Sequence, residues 1–124
     1  MGAVVKDGTG RLLLIKRSHE PGAGLWSIPG GRIEPGETDG QALAREMLEE
    51  TGLTVTPGPL LGAVERPGPG DSVIDIRDYS ATVTGGTLTS GDDAADARWV
   101  SPDEMARLPL TDGLAEALRA WGVL

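Results

Sequence analysis

Three glutamates, Glu46, Glu49 and Glu50, stand at positions i, i+3 and i+4 of one segment. Residues with this spacing share one face of an α-helix, so the three carboxylates are predicted to converge. Carboxylate oxygens are hard, anionic ligands of the kind that Mg²⁺ or Mn²⁺ prefers. On the helix alone a second interpretation stays open, because acidic helical faces of this kind more often simply face water.

The residues around this helix help to decide between a metal site and an acidic face that only contacts water. Gly30 and Gly31 precede the helix, and glycine lets backbone carbonyl groups approach a site closely because it has no side chain. Arg45 lies four residues before Glu49, which is a spacing that allows an ion pair. The segment therefore combines candidate cation ligands with a cationic side chain that can hold them in place.

A helix over residues 38–51 must carry these side chains. Thr38 and Gln41 form a T-x-x-Q capping box at its start, and Gly52 is placed to end it. Its apolar residues are expected to pack on a sheet: Leu43, Ala44, Met47 and Leu48.

The rest of the chain reads as short strands and two later helices. The apolar run 12–15 predicts a strand buried on both faces. A second capping box opens a helix at Ser101, and a last helix begins near Asp112. Further strands are predicted over 3–5, 25–28, 60–65, 73–83, 87–89 and 97–100. This order predicts an α+β fold, built as an α/β/α sandwich.

The spacing of the acidic segment fits the pattern G-x5-E-x7-R-E-U-x-E-E-x-G-U, in which U is a bulky apolar residue. The fixed positions are held by Gly31, Glu37, Arg45, Glu46, Glu49, Glu50 and Gly52, with Met47 and Leu53 at the apolar ones. This pattern is the Nudix box, and the sequence resembles the Nudix hydrolase family over nearly its whole length. The resemblance implies a single Nudix domain over 1–124, with the box at 31–53 and a mixed sheet between helices.

The resemblance also implies an activity and a set of site residues. The activity is hydrolysis of a nucleoside diphosphate linked to another group X, with Mg²⁺ or Mn²⁺ as cofactor. The expected metal ligands are Glu46, Glu49 and Glu50, together with a carbonyl group of Gly30 or Gly31. Arg45 is expected to position the glutamates and to have Glu37 as a second partner. The catalytic set comprises Glu37, Arg45, Glu46, Glu49 and Asp93, and the general base is either a box glutamate or Asp93.

Contacts to the substrate are less strongly indicated. Arg32 in the box loop is a candidate phosphate or ribose contact, and Trp26 and Tyr79 are candidate stacking surfaces that could equally be packing residues. ADP-ribose or a nucleotide sugar is the favoured substrate class, and a (deoxy)nucleoside triphosphate is the alternative. A Nudix-fold module that senses a nucleotide without cleaving it is an alternative of another class.

Composition limits the partners. The net charge of −8, from 11 basic and 19 acidic residues, argues against a nucleic-acid polymer. There is no cysteine, which excludes disulfides and thiolate chemistry, and no apolar run is long enough for a signal peptide or a membrane span. The expected protein is cytoplasmic and acts on a small nucleotide. Analogy with ADP-ribose-cleaving members of the family suggests a homodimer.

Overall fold

The computed structural model describes residues 1–91 and 94–124. Within these residues there are six strands: β1 (Gly2–Val5), β2 (Leu12–Arg17), β3 (Trp26–Ser27), β4 (Leu53–Pro67), β5 (Val73–Gly86) and β6 (Ala94–Val100). Its three helices are α1 (Asp39–Thr51), α2 (Pro102–Met105) and α3 (Leu114–Ala120). This composition of the described chain agrees with the predicted α+β class.

The strands form two sheets of three strands each. In the first sheet, of order β1-β5-β4, β1 runs parallel to β5 and β4 runs antiparallel to it. The second sheet has the order β3-β2-β6 and is antiparallel. The predicted mixed sheet is therefore present, but β2, β3 and β6 form a separate sheet beside it.

Two hydrophobic clusters flank the central strands. The first cluster lies on the α1 side and includes Leu43 and Met47, and the second lies on the side of α2 and α3 and includes Leu118. Strand β2 contributes Leu13 to the first cluster and Leu12 and Leu14 to the second, because successive residues of a strand point to opposite faces. All of residues 12–15 are buried, as the apolar run predicted.

Both ends of α1 follow the sequence signals. The Thr38 hydroxyl accepts a hydrogen bond from the Gln41 backbone N–H, and the Gln41 side chain accepts one from the Thr38 N–H, so the predicted capping box is confirmed. Gly52 adopts a left-handed conformation (φ 72°) and ends the helix as expected. The predicted buried face of α1 is wrong at one position, because Leu48 is 57% exposed. The helix turns its Leu43–Met47–Thr51 stripe toward the sheet, which leaves Leu48 to one side of it.

The strand predictions fail mainly in the second half. Strand β4 begins at Leu53, well before the predicted 60–65, and it continues through Pro57 with register shifts between Pro57 and Leu60 and between Leu60 and Gly62. Residues 87–89 form no strand, although Leu88 packs against the first cluster. The capping box at Ser101 is confirmed, with Pro102 in the first turn of α2. Within the described residues, no helix has the length and apolarity that crossing a membrane would require.

Candidate functional site

Arg45 is the centre of the candidate site. Its Nε and Nη2 donate to the two carboxylate oxygens of Glu37 at 2.8 and 2.9 Å. Its Nη1 donates to Glu46 Oε1 at 2.8 Å and to Glu49 Oε2 at 3.2 Å. Nη2 also donates to the Arg32 carbonyl oxygen at 3.0 Å, which ties the box loop to the helix. The predicted ion pairs of Arg45 with Glu37, Glu46 and Glu49 are therefore present.

These contacts shift the pKa values of Arg45 and Glu37. Hydrogen bonds to Glu37, and next to Glu46, raise the pKa of Arg45 above its usual range. The same guanidinium lowers the pKa of Glu37. The Arg45–Glu37 pair is bidentate, so it fixes the plane of the guanidinium as well as its position.

The glycine loop packs directly on the helix. A Cβ atom at Gly31 would lie 2.4 Å from the Glu46 carboxylate carbon, so only glycine leaves room for that carboxylate. The Gly30 N–H donates to Glu50 Oε1 at 3.3 Å. The loop is held in turn by Met1, the residue before β1, because the Gly31 N–H donates to the Met1 carbonyl oxygen at 3.0 Å. Two box carboxylates thus lie against the backbone of Gly30 and Gly31.

The chemistry of the donor set suits a divalent cation. Glu46, Glu49 and Glu50 supply hard oxygen atoms beside a glycine backbone, as Mg²⁺ or Mn²⁺ requires. Among the residues described, however, no three acidic or histidine side chains lie close enough together to hold a metal ion. In this arrangement Arg45 Nη1 binds Glu46 and Glu49 while the Gly30 N–H binds Glu50, so the convergence of all three carboxylates on one cation stays a prediction.

The C-terminal end of α1 is closely packed against the segment before β6. The Gly91 N–H donates to the Glu50 carbonyl oxygen at 2.9 Å, and a Cβ at Gly91 would lie 2.0 Å from the Glu49 carbonyl oxygen. Gly91 was not among the predicted site residues, and its position depends on a contact distant in sequence. Asp93, the predicted general base from a late loop, lies outside the described residues.

The three predicted substrate contacts differ in their surroundings. The side chain of Arg32 is exposed on the box loop. Trp26 is 4% exposed and belongs to the second hydrophobic cluster, with the Arg98 guanidinium 5.1 Å from its ring centroid. Its burial favours the packing interpretation over a role in stacking on a substrate. Tyr79 is half-buried, and its hydroxyl donates to Asp39.

Tyr79 belongs to a polar network that the sequence reading missed. Arg77 donates from Nε to Asp39 Oδ2 at 2.7 Å and from Nη2 to Asp39 Oδ1 at 2.9 Å. Hydrogen bonds from Arg77, and next from Tyr79, lower the pKa of Asp39 to about 2. Arg77 and Tyr79 are two residues apart on a strand and so share a face, which was the available signal. The network fixes the first turn of α1 to β5.

Comparison with known proteins identifies the family. The family profile described as NUDIX domain matches residues 1–121, and the chain belongs to this family. The E. coli K12 protein named CTP pyrophosphohydrolase is 32% identical over 98% of the chain and 90% of its own length. The solution structure of the E. coli ORF135 protein has a TM-score of 0.73 and 33% identity, covering 96% of this chain and 86% of that one.

Other relatives are longer than this chain. The protein of Methanocaldococcus jannaschii named ADP-ribose pyrophosphatase is 39% identical over 86% of the chain, which spans 63% of that protein. A Bacillus subtilis relative is 37% identical over 86% of the chain, which spans 66% of its length. The names of the relatives therefore refer to more than one nucleotide substrate.

Proposed function

We propose that this chain hydrolyses the diphosphate bond of a nucleoside diphosphate linked to another group X, with a divalent cation as cofactor. The observation that carries the proposal is the arrangement around Arg45, which holds Glu37, Glu46 and Glu49 while Gly30 binds Glu50. Such an array gathers anionic oxygens next to a loop whose backbone can approach a phosphate group. Nudix hydrolases generally use divalent metal ions, and Mg²⁺ or Mn²⁺ is the proposed cofactor.

Glu46, Glu49 and Glu50 would hold the cation, together with a carbonyl group of Gly30 or Gly31. When bound, a divalent cation neutralises the diphosphate and lowers the pKa of a coordinated water molecule. Arg45 positions the carboxylates, and Glu37 keeps the guanidinium in its plane through the bidentate pair. Because Arg45 Nη1 already binds Glu46 and Glu49, these carboxylates must exchange or share that contact when a cation binds.

The proton of the attacking water has two proposed acceptors. The Glu49 side chain is 57% exposed, so it has access to a water molecule. Its hydrogen bond from Arg45 Nη1, at 3.2 Å, is longer than that of Glu46, at 2.8 Å. Asp93 is retained as the alternative base on the ground of its sequence position alone. Arg32, exposed on the box loop, is proposed to contact phosphate or ribose.

Two substrate classes are proposed. ADP-ribose or a nucleotide sugar is the first, and it is supported by the relative named ADP-ribose pyrophosphatase. A (deoxy)nucleoside triphosphate is the second, and it is supported by the relative named CTP pyrophosphohydrolase, which the chain matches along 90% of its length. Both classes share the diphosphate bond that the box residues would address.

A substrate panel tests the proposal. The protein is incubated with Mg²⁺ and ADP-ribose, nucleotide sugars, dinucleotide polyphosphates or (deoxy)nucleoside triphosphates, and the products are separated by anion exchange. Glu50→Gln should abolish turnover and leave the circular dichroism spectrum unchanged, whereas Glu116→Gln, an exposed change on α3, should leave turnover intact. Tight binding of one nucleotide without turnover of any would instead support a sensing module and overturn the enzymatic proposal.

A further inference from the structure

Asp78 is a buried carboxylate on the face of the first sheet that α1 does not cover. Its neighbours Arg77 and Tyr79 both bond to Asp39 at the start of α1. Because alternate residues of a strand point to opposite faces, the Asp78 side chain faces the other side. It is 6% exposed, and within the described structure its Oδ1 atom is buried without a hydrogen-bond partner. A buried unpartnered carboxylate oxygen is costly and therefore calls for an explanation.

Glycines flank Asp78 on both neighbouring strands. Asp78 is paired with Gly2 of β1 and with Gly62 of β4. A Cβ at Gly2 would lie 2.3 Å from Asp78 Oδ1 and 2.8 Å from Ile28 Cδ1. A Cβ at Gly62 would lie 2.2 Å from Trp121 Nε1. Ile28 Cδ1 and the Trp121 indole therefore fill the space beside the carboxylate that side chains at positions 2 and 62 would otherwise take.

This carboxylate lies close to the candidate site. Gly2 forms a β-bridge with Gly30, and the Gly30 N–H donates to Glu50. Gly30 and Asp78 thus lie on either side of β1, two strand spacings or about 10 Å apart. This separation is comparable to the reach of a nucleotide from its 5′-phosphate to the edge of its base.

We propose that Asp78 is a specificity-determining residue that accepts a hydrogen bond from an exocyclic amino group of the substrate's base. The inference rests on the proposed function and adds the identity of the base to it. A carboxylate oxygen can accept a hydrogen bond from an amino group such as that of cytosine or adenine. A base carbonyl group at the same place would put two hydrogen-bond acceptors against each other. In this proposal the base reaches Oδ1 by displacing the half-buried Ile28 side chain, and it then lies next to Trp121.

Matched pairs of substrates test this assignment. CTP and UTP differ in having an amino or a carbonyl group at one ring position, and ADP-ribose differs from inosine diphosphate ribose in the same way. The wild-type protein should favour the amino member of whichever pair it cleaves by about ten- to a hundredfold in kcat/KM. In Asp78→Asn this ratio should fall to near one, because an amide both donates and accepts. An unchanged ratio in Asp78→Asn overturns the inference.

Controls separate this inference from the proposed function. Asp75→Asn, an exposed change on the same strand, should leave the ratio unchanged. Asp78→Leu removes the acceptor and should also abolish the preference, while circular dichroism checks that both Asp78 variants fold. Binding of CMP and UMP, and of AMP and IMP, measured by calorimetry gives a readout without turnover. If nothing is cleaved but Asp78→Asn abolishes tighter binding of an amino-bearing nucleotide, the proposed function fails and the role of Asp78 stands.

Discussion

Replacement of Gly31 by alanine tests whether the position of the Glu46 carboxylate matters for the proposed reaction. The added Cβ would lie 2.4 Å from the Glu46 carboxylate carbon and 2.6 Å from both of its oxygens. Gly31 does not have a positive φ, so alanine imposes no backbone strain there. The perturbation therefore acts on the Glu46 carboxylate, which lies at the end of a flexible side chain.

The size of the effect follows from the displacement required. Ordinary contacts of a Cβ atom begin near 3.4 Å, so the carboxylate must move by about 1 Å. A displacement of this size in a positioned group costs about 10²-fold in rate. The movement also lengthens the hydrogen bond from Arg45 Nη1 to Glu46, which stands at 2.8 Å. We expect kcat to fall about a hundredfold, with weaker activation by Mg²⁺.

The assay measures turnover of the best substrate as a function of Mg²⁺ concentration. Gly8→Ala is the matched control, because a Cβ at Gly8 meets no atom within 4 Å and Gly8 has no positive φ. Thermal unfolding should give similar midpoints for both variants and the wild-type protein. A Gly31→Ala variant with wild-type kcat and wild-type half-saturation by Mg²⁺ would refute the reasoning, because the carboxylate would then have moved without consequence.

Two further predictions concern Arg45 and Asp78. Arg45→Lys should weaken Mg²⁺ activation by about ten- to a hundredfold, because one ammonium group cannot replace both the bidentate pair to Glu37 and the contact to Glu46. Arg107→Lys, at an exposed position, is its control, and equal activation curves for the two variants would contradict the positioning role. Asp78→Asn should raise the free energy of unfolding at pH 7, since it replaces a buried carboxylate with an uncharged amide of nearly the same shape. Burial raises the pKa of Asp78 in the folded protein above its ordinary value of 3.8. The folded protein therefore loses stability, relative to the unfolded chain, as pH rises from 3.8 through the raised pKa of Asp78. Denaturant unfolding should therefore show the gain shrinking as pH falls toward 3.8, and a gain independent of pH would contradict the assigned cause.

Local signals in the sequence predicted the parts of the fold that local interactions decide. The capping boxes at Thr38 and Ser101 marked the starts of two helices, and the apolar run of β2 marked a strand buried on both faces. The box spacing also indicated which side chains Arg45 would bind. In each case the deciding contacts join residues that are near in sequence, so their spacing contains the information.

Other features depend on pairing between distant segments. Pro57, Gly58 and Pro59 are of residue types that weaken strands, and the predicted strand began only at residue 60. Strand β4 nevertheless runs through them, because β5 supplies a long antiparallel partner and register shifts absorb the irregularity. Asp78 gave no signal of burial, because its surroundings arise from the register that places it between Gly2 and Gly62. The Glu46 and Glu50 carboxylates are held by different partners, and helical spacing alone does not specify that division.

The double-sided burial of β2 has a consequence for how damage spreads through the molecule. Leu13 belongs to the cluster that supports α1, while Leu12 and Leu14 belong to the cluster under α2 and α3. Neither helical layer can therefore detach without exposing side chains of a strand that the other layer needs, which favours all-or-none unfolding. A destabilising substitution at Leu118 would lower the fraction of molecules in which α1 is folded, although Leu118 is not a residue of the candidate site. The activity of such a variant would fall in proportion to the folded fraction, with the KM of the remaining folded molecules unchanged.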